Sequence, residues 1–159
     1  MLEDRKIYFK TERLCVSSFV TDDIEGFMEY RNDSEWMKYQ GFKCLSREEY
    51  CKELLKEQDF GLGAQLAILC DDALIGDLYL KLEKNTAEIG YTLNKRYTGK
   101  GYCAEAVLGL CNFLKNQKVR LVNAEVDEAN TTSIRVLARI GFSFKGNTDG
   151  YLLYEKDLL

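Results

Sequence analysis

Residues 64–93 contain three strand-like segments joined by tight turns, and this run constrains the fold more than any other part of the chain. The stretch AQLAILCDDALIGDLYLKLEKNTAEIGYTL is largely apolar, with polar breaks at 71–72 and 83–85, as strands connected by turns require. A helix pattern at 101–118 and another strand pattern at 120–127 follow. Tight turns make neighbouring strands antiparallel, whereas a strand–helix–strand crossover makes its two strands parallel. The predicted fold class is therefore α+β with a mixed sheet.

The rest of the chain alternates between helix and strand patterns. We expect further strands at 12–19, 142–146 and 151–158, and further helices at 22–33, 46–58 and 130–140. Ser46 and Glu49 have the spacing of a capping box at the start of the second helix. The helix at 101–118 is apolar around most of its circumference, so other elements should cover it on more than one side. No repeat or linker-like tract divides the chain, and we predict a single domain over 1–159.

Composition argues against several classes of function. The net charge of −4 disfavours a nucleic-acid-binding protein, since neutralising phosphates requires a basic face. No apolar run approaches the roughly 18–20 residues that a membrane span needs, and the charged N-terminus lacks the apolar middle of a signal peptide. The six cysteines show no C-x-x-C spacing, which indicates reduced thiols in a cytoplasmic protein. Because histidine is absent, Ser–His and Cys–His catalysis and most zinc sites are excluded, and no metal is expected.

The stretch RYTGKGYCAEA (96–106) predicts an anion site. Two glycines one residue apart follow an arginine and open a helix. The side chains of Arg96 and Lys100 and the N–H groups of Gly99 and Gly101 would converge at the helix N-terminus, where charge and dipole both attract an anion. The missing Cβ atoms at two positions let an anion approach that backbone closely.

Other interpretations compete for this turn. A P-loop requires G-x-x-x-x-G-K-[ST], which the stretch does not contain. GKGYCA does fit the G-x-G-x-x-[GA] dinucleotide fingerprint, with Asp127 where a ribose-binding acid would lie. However, Asn94–Thr98 separate the preceding strand from the first glycine, and too few residues follow for the further strand–helix units of a doubly wound domain. A helix-initiating turn without a ligand remains the simplest alternative.

Two spaced motifs resemble those of the GNAT N-acyltransferase superfamily. RYTGKG (96–101), behind the strand AEIGYTL and ahead of a helix, resembles the [QR]-x-x-G-x-[GA] pyrophosphate loop. After the next strand, NTTS (130–133) and an apolar helix into GF (141–142) resemble the N-x-x-[SA]…GF signature. TERL (11–14) and AEIGYTL…GKGY add a likeness to the ribosomal-protein N-terminal acetyltransferase branch. The likeness spans nearly the whole chain and is strongest at 74–146.

The resemblance implies acetyl-CoA, or a related acyl-CoA, as cosubstrate between the parallel strands at 87–93 and 120–127. In this superfamily the central strands splay apart at a bulge within a mostly antiparallel sheet that carries helices on both faces, and the freed main-chain groups pair with pantetheine. Pyrophosphate would bind at 96–102, and the Leu93 N–H would stabilise the oxyanion of the thioester. The cofactor-binding residues implied in this way are Tyr91, Thr92, Leu93, Arg96, Tyr97, Thr98, Gly99, Lys100, Gly101, Tyr102, Cys103, Asn130, Ser133 and Arg135.

The resemblance also implies that an amine attacks the bound thioester directly, without a covalent enzyme intermediate. Glu88 is the candidate base, because it shares a strand face with Thr92. The departing thiolate needs a proton. Many GNAT enzymes place a tyrosine that serves as general acid seven residues after the motif asparagine, but here that position is Leu137. Ser133 is therefore the candidate donor to the sulfur, with helix capping as its alternative role. The same departure leaves a catalytically silent acyl-CoA-binding module as the alternative to an N-acetyltransferase.

The acceptor is not specified by these motifs. Protein N-termini and small primary amines are both served by similar sequences. The oligomeric state is left open between monomer and homodimer, although dimers are common among relatives. Trp36, Tyr39 and Phe42 lie in the segment that would form the substrate wall. Cys103 lies in the first turn of the predicted helix, where a thiol pKa can be lowered, although packing is its favoured role.

Overall fold

An eight-stranded sheet forms the centre of the protein in the computed structural model, which describes residues 4–159. The strands are β1 (Ile7–Lys10), β2 (Cys15–Ser17), β3 (Ala64–Cys70), β4 (Ala73–Glu83), β5 (Thr86–Leu93), β6 (Leu121–Asp127), β7 (Ser143–Thr148) and β8 (Tyr151–Asp157). The helices are α1 (Ile24–Arg31), α2 (Arg47–Leu54), α3 (Tyr102–Asn116) and α4 (Thr131–Arg139). Residues 1–3, which the single-domain prediction includes, lie outside the described part of the chain.

The strand order confirms the predicted mixed sheet. It is β1-β2-β3-β4-β5-β6-β8-β7, and the crossover through α3 makes β5 and β6 parallel while the other neighbours are antiparallel. Asp71 and Asp72 both have positive φ, 49° and 66°, as the favoured two-residue hairpin turn between β3 and β4 requires.

The first edge of the sheet differs from the prediction. The strand expected at 12–19 is paired only over Cys15–Ser17, and the unpredicted β1 lies beside it. Tyr8 and Phe9 of β1 pack against Phe113 of α3, with ring centroids 6.4 and 5.6 Å apart. This strand therefore depends on contacts with a helix distant in the chain, which a four-residue pattern cannot indicate.

The second helix follows its predicted start more closely than its predicted end. Ser46 Oγ accepts from the Glu49 N–H, and Glu49 Oε1 accepts from the Ser46 N–H, each over 3.1 Å. This confirms the capping box. The helix ends at Leu54 instead of continuing to residue 58. Within the described residues, none of the helices has the length and apolar character needed to cross a membrane.

The helices cover both faces of the sheet, as the resemblance implied. The alternation of side chains along β3 sends Leu66 and Ile68 into the core beneath α3 and α4, and Ala67 and Leu69 into the core beneath α1 and α2. The sheet is therefore the middle layer of three, and a site between its strands can be reached by groups from either face.

The parallel strands β5 and β6 separate partway along their length. They pair from Thr86↔Leu121 only as far as Glu88↔Asn123, although β5 stays paired with β4 as far as Leu93. The expected splay is confirmed. The expected bulge is wrong for these strands, since neither the β4–β5 nor the β6–β8 register shifts. Each strand instead follows its outer neighbour, and the two diverge as the sheet twists.

Candidate active site

A cleft of about 790 Å³ opens where β5 and β6 separate. Its walls come from the segment 33–40 after α1, the end of β5, the turn into α3, and the segment 129–139 that includes α4. The predicted cofactor residues that line it are Tyr91, Thr92, Leu93, Thr98, Gly99, Gly101, Tyr102, Cys103, Asn130, Ser133 and Arg135. A cleft of this size accommodates a small-molecule ligand.

Main-chain groups of Tyr91 and Leu93 face this cleft. The Asn94 N–H donates to the Ile75 carbonyl of β4 over 2.7 Å, and main-chain groups alternate between the two sides of an antiparallel strand. Thr92 therefore bonds towards β4. The N–H and C=O groups of Tyr91 and Leu93 point to the side from which β6 has withdrawn.

The opposite edge of the cleft is arranged in the same way. The Leu158 N–H donates to the Arg120 carbonyl over 2.8 Å, so alternate residues of β6 bond to β8. The main-chain groups of Glu125 and the Asp127 N–H accordingly point to the gap, whereas the Asp127 carbonyl accepts from the Asn130 N–H over 2.9 Å. Two strand edges thus face each other without pairing, and an extended ligand can bond to them as an added strand would.

Gly99 and Gly101 shape the turn that closes one end of the cleft. Their φ angles are +79° and +81°, and a Cβ built on Gly99 meets nothing within 4 Å. Gly101 precedes α3 without any side-chain cap, and the N–H groups of the first turn, including Tyr102 and Cys103, have no acceptor within a helix. This open, Cβ-free helix N-terminus fits an anion such as pyrophosphate.

The basic side chains expected at this turn are placed elsewhere. Arg96 Nη2 lies 2.7 Å from Glu29 Oε2 of α1, and the Asn94 side-chain amide donates to the same oxygen over 2.8 Å. Tyr97 and Lys100 also lie outside the cleft lining. The expected convergence of Arg96 and Lys100 on the anion is therefore not seen, because Glu29 provides a nearer partner for the guanidinium.

Arg13 is the basic residue that the structure does bring beside the turn. Its Nη1 donates to the Lys100 carbonyl over 2.9 Å, its Nε pairs with Glu105 at 2.6 Å, and its guanidinium lies 4.4 Å from the Tyr102 ring centroid. A Cβ on Gly101 would lie 3.5 Å from Arg13 Nη2. Arg13 was not predicted from the sequence, where its one signal is its place within TERL.

Helix α4 adds positive charge to the cleft. Arg135 and Arg139 both line it, and they lie one helical turn apart on the same face. Neither forms an ion pair with another residue in the described range 4–159. Together with the N-terminus of α3, they give this end of the cleft a field that favours phosphate groups.

Tyr91 and Ser133 meet across the cleft. The phenol oxygen lies 2.6 Å from Ser133 Oγ and 3.3 Å from the Ser133 carbonyl oxygen. Burial raises the pKa of the Tyr91 phenol well above its ordinary value, and the hydrogen bond to Ser133 offsets part of that rise. The helix cap is provided by Asn130, whose Oδ1 accepts from the Ser133 N–H over 3.3 Å. The Ser133 hydroxyl is therefore not used for capping.

A buried polar network supports the other face of β5. Arg31 Nη2 lies 2.6 Å from Asp77 Oδ1 and donates to Thr92 Oγ1 over 3.2 Å. The Tyr30 hydroxyl donates to Asp77 Oδ2 over 2.6 Å, and burial together with the Asp77 carboxylate raises the pKa of this phenol well above its ordinary value. Arg31 Nη1 also donates to the Phe42 carbonyl over 2.8 Å, so the network ties the segment after α1 to the sheet.

Two of the three aromatic residues in the segment expected to form the substrate wall line the cleft. Trp36 and Tyr39 line the cleft. Phe42 does not, because it packs in the smaller core against Phe27 and Tyr50, with ring centroids 5.9 and 5.3 Å apart.

The surroundings of Glu88, Cys103 and Leu137 bear on the predicted chemistry. Glu88 is exposed where β5 still pairs with Asn123 of β6, and it does not line the cleft, so its role as a base stays a prediction. Cys103 lines the cleft and packs against the larger core, as its favoured role predicted. Burial raises its thiol pKa to about 12, which is opposite to the lowered pKa of the alternative. Leu137 is fully buried in the larger core.

Comparison with known proteins identifies the family. The family model described as an acetyltransferase (GNAT) domain matches residues 13–143. The chain belongs to the GNAT acetyltransferase family. It is also 31% identical over 158 residues to the probable N-acetyltransferase YjcK of Bacillus subtilis (strain 168), an alignment that covers 92% of this chain and 85% of that protein.

Solved GNAT structures share this fold. The crystal structure of a GNAT-family acetyltransferase from Bacillus anthracis matches with a TM-score of 0.83 and 26% identity, covering 94% of this chain and 97% of that chain. The ribosomal L7/L12 alpha-N-protein acetyltransferase RimL in complex with coenzyme A matches with a TM-score of 0.79 and 16% identity, covering 96% and 98%. Family membership makes the protein an acetyl-CoA-dependent N-acetyltransferase. Acetyl-CoA is its cosubstrate, and the free N–H groups and open space at the α3 turn fit the pyrophosphate of that molecule.

Proposed function

We propose that this enzyme transfers the acetyl group to a primary amine, either a protein N-terminus or a small amine, by direct attack in a ternary complex. The observation that carries this proposal is the gap between β5 and β6, whose unpaired edges lead to the N-terminus of α3. An extended pantetheine arm suits such a gap, because it can bond to the strand edge as another strand would. The pyrophosphate then meets the glycine turn.

Three residues carry the chemistry of this proposal. The Leu93 N–H, which faces the gap, stabilises negative charge on the thioester oxygen. The Ser133 hydroxyl donates a hydrogen bond to the departing sulfur, and the Tyr91 phenol donates to Ser133 Oγ and thereby orients it. Because the Tyr91 pKa is raised by burial, the phenol keeps its proton and remains a donor throughout the neutral pH range.

The acceptor must reach the thioester as a neutral amine. An α-amino group has an unperturbed pKa of roughly 7.7–8.0 and is partly neutral already, whereas a lysine side chain at roughly 10.4 needs a base. We propose Glu88 for this role, acting through water because it is exposed and outside the cleft lining. The name of RimL specifies a protein α-amino group as its acceptor, which makes N-terminal peptides a first choice for testing here.

The test is release of free thiol from acetyl-CoA with a panel of N-terminal peptides, polyamines and amino acids. Gly101→Glu places a carboxylate at the turn proposed for pyrophosphate. Repulsion between the carboxylate and the pyrophosphate should lower the affinity for acetyl-CoA about 100-fold or more. Gly101→Gln is the matched control for the charge, because it places a similar neutral side chain at the same φ of +81°. Gly146→Glu on β7, where a Cβ meets nothing within 4 Å, is the control for a carboxylate added elsewhere and should keep the affinity of the unaltered enzyme.

The outcomes separate the candidate functions. Thiol release that depends on an amine and is lost in Gly101→Glu supports the proposal. Tight coenzyme A binding without turnover of any amine would favour the silent module. Equal acetyl-CoA affinity in Gly101→Glu and Gly146→Glu, with similar thermal midpoints, would refute the placement of pyrophosphate at this turn.

A further inference from the structure

Trp36 connects the wall of the cleft to the strand that carries the Leu93 N–H. It is the one tryptophan of the chain and lies in the turns between α1 and α2. Its indole Nε1 donates to the Leu93 carbonyl oxygen over 2.8 Å, yet 38% of the residue stays exposed and it lines the cleft. One side chain thus bonds to β5 and presents surface to a molecule entering the cleft.

The main chain around Leu93 is held closely from β4. The Asn94 N–H donates to the Ile75 carbonyl over 2.7 Å. Gly76 lies opposite Leu93, and a Cβ there would be 2.3 Å from the Thr92 carbonyl oxygen, so only glycine permits this approach. β4 thus holds one side of this strand end, and on the other side the Leu93 carbonyl accepts from the indole while the Leu93 N–H faces the gap.

An unbonded Leu93 carbonyl would oppose the role proposed for the Leu93 N–H. The N–H and C=O groups of one residue point to the same side of an antiparallel strand. The carbonyl oxygen would then place its negative end near the region where negative charge develops on the thioester oxygen. The indole N–H of Trp36 satisfies that oxygen and so weakens its opposing field. The Leu93 N–H itself belongs to the preceding peptide unit, whose Thr92 carbonyl faces Gly76 of β4, so the two peptide units that meet at Leu93 are held from opposite sides.

We propose that Trp36 is a positioning residue, which sets the Leu93 N–H for acetyl transfer and couples it to the acceptor wall; this inference rests on the transfer proposed above. Tyr39 and Gln40 follow in the same segment and also line the cleft. An amine acceptor that contacts this segment therefore contacts the part of the chain that holds the indole in place. Trp36 itself acts through Leu93 and touches no reacting atom.

Replacing Trp36 with 3-(3-benzothienyl)alanine tests this role, because sulfur takes the place of the indole N–H while the ring keeps its shape. We expect kcat to fall about 5- to 10-fold, as for loss of one aligned hydrogen bond. The KM values for acetyl-CoA and the amine should stay within about twofold. Trp36→Leu also removes the ring surface, and it should raise the KM of the amine in addition.

The single tryptophan allows a second measurement that needs no turnover. Enzyme labelled with nitrogen-15 has one indole N–H signal, and slow exchange of that proton with water reports its hydrogen bond. An unchanged kcat in the sulfur variant, or indole exchange as fast as in free tryptophan, overturns this inference and leaves the transfer standing. Failure of the unaltered enzyme to turn over any amine refutes the transfer and this role together.

Discussion

The two faces of strand β5 are built differently. On the face covered by α3 and α4, Tyr91 meets Ser133 and the surrounding core is made of apolar side chains. On the face covered by α1 and α2, Thr92 meets the buried ion pair of Arg31 and Asp77, whose side chains are only 5% and 1% exposed. The first face carries one pair of hydroxyl groups in apolar surroundings, whereas the second carries a buried ion pair.

This difference fits the two ligands that we assign to the cleft. Pantetheine and pyrophosphate can be bound by main-chain groups of a strand edge and of a helix N-terminus. Such binding depends on the course of the backbone more than on particular side chains. The wall assigned to the acceptor is a segment of turns, and the guanidinium of Arg31 holds it by bonding to the Phe42 carbonyl. Since buried ion pairs often add no net stability, we interpret this pair as fixing geometry on the acceptor side.

Among the substitutions that test the difference between the two faces of β5, removal of the Asp77 carboxylate should have the largest effect. Asp77→Ala leaves the Arg31 guanidinium buried without its carboxylate and the Tyr30 hydroxyl without its acceptor. We expect the free energy of unfolding to fall by about 3–5 kcal/mol, as measured by urea denaturation at neutral pH.

The control for this prediction removes both charges. Arg31→Met with Asp77→Leu and Tyr30→Phe replaces the ion pair and the dependent hydroxyl by apolar groups, and it should recover most of the lost stability. A loss below about 1 kcal/mol in Asp77→Ala, as an exposed pair would give, would contradict the view that this face depends on buried charge.

The hydroxyl pair on the other face should give a smaller effect, seen in kinetics. If Ser133 donates to the sulfur and Tyr91 only orients it, Ser133→Ala and Tyr91→Phe should each lower kcat about tenfold. The KM for acetyl-CoA should stay the same. Because both substitutions break one path, the double variant should be no slower than Ser133→Ala. Losses that multiply in the double variant would show that the two hydroxyls act independently.

The cofactor side was the more predictable half because its signals are local in the chain. The spacing of Gly99 and Gly101 predicted a turn without Cβ atoms at the start of a helix, and α3 does begin directly after Gly101. Asn130 and Ser133 are three residues apart, so their capping contact follows from helix geometry. The tight turns at 64–93 and the crossover after them determined which strands are parallel.

The acceptor side could not be predicted because its contacts join distant residues. Arg31 ends a helix and Asp77 lies within a strand, and neither pattern marks a pair that meets across 46 positions. The bond from Trp36 to the Leu93 carbonyl has the same origin, since it spans 57 positions. A motif also indicates the course of the backbone better than the direction of a long side chain, and Arg96 lies against Glu29 instead of over the turn.

Arg96 tests the comparison through the smallest expected effect. It occupies the basic position of the glycine-turn motif, yet its Nη2 lies 2.7 Å from Glu29 Oε2 on the acceptor side. Exposed pairs of this kind contribute little to stability, so Arg96→Ala and Glu29→Ala should unfold at nearly the same urea concentration as the unaltered enzyme. If Arg96 only clamps the strand end to α1, the two variants should change the KM for acetyl-CoA equally, within about twofold. A selective rise of about tenfold in Arg96→Ala, with a lower KM in Glu29→Ala, would instead show that the guanidinium leaves Glu29 for the pyrophosphate. That result would move Arg96 to the cofactor side, and side-chain charge would then contribute to binding on both faces of β5.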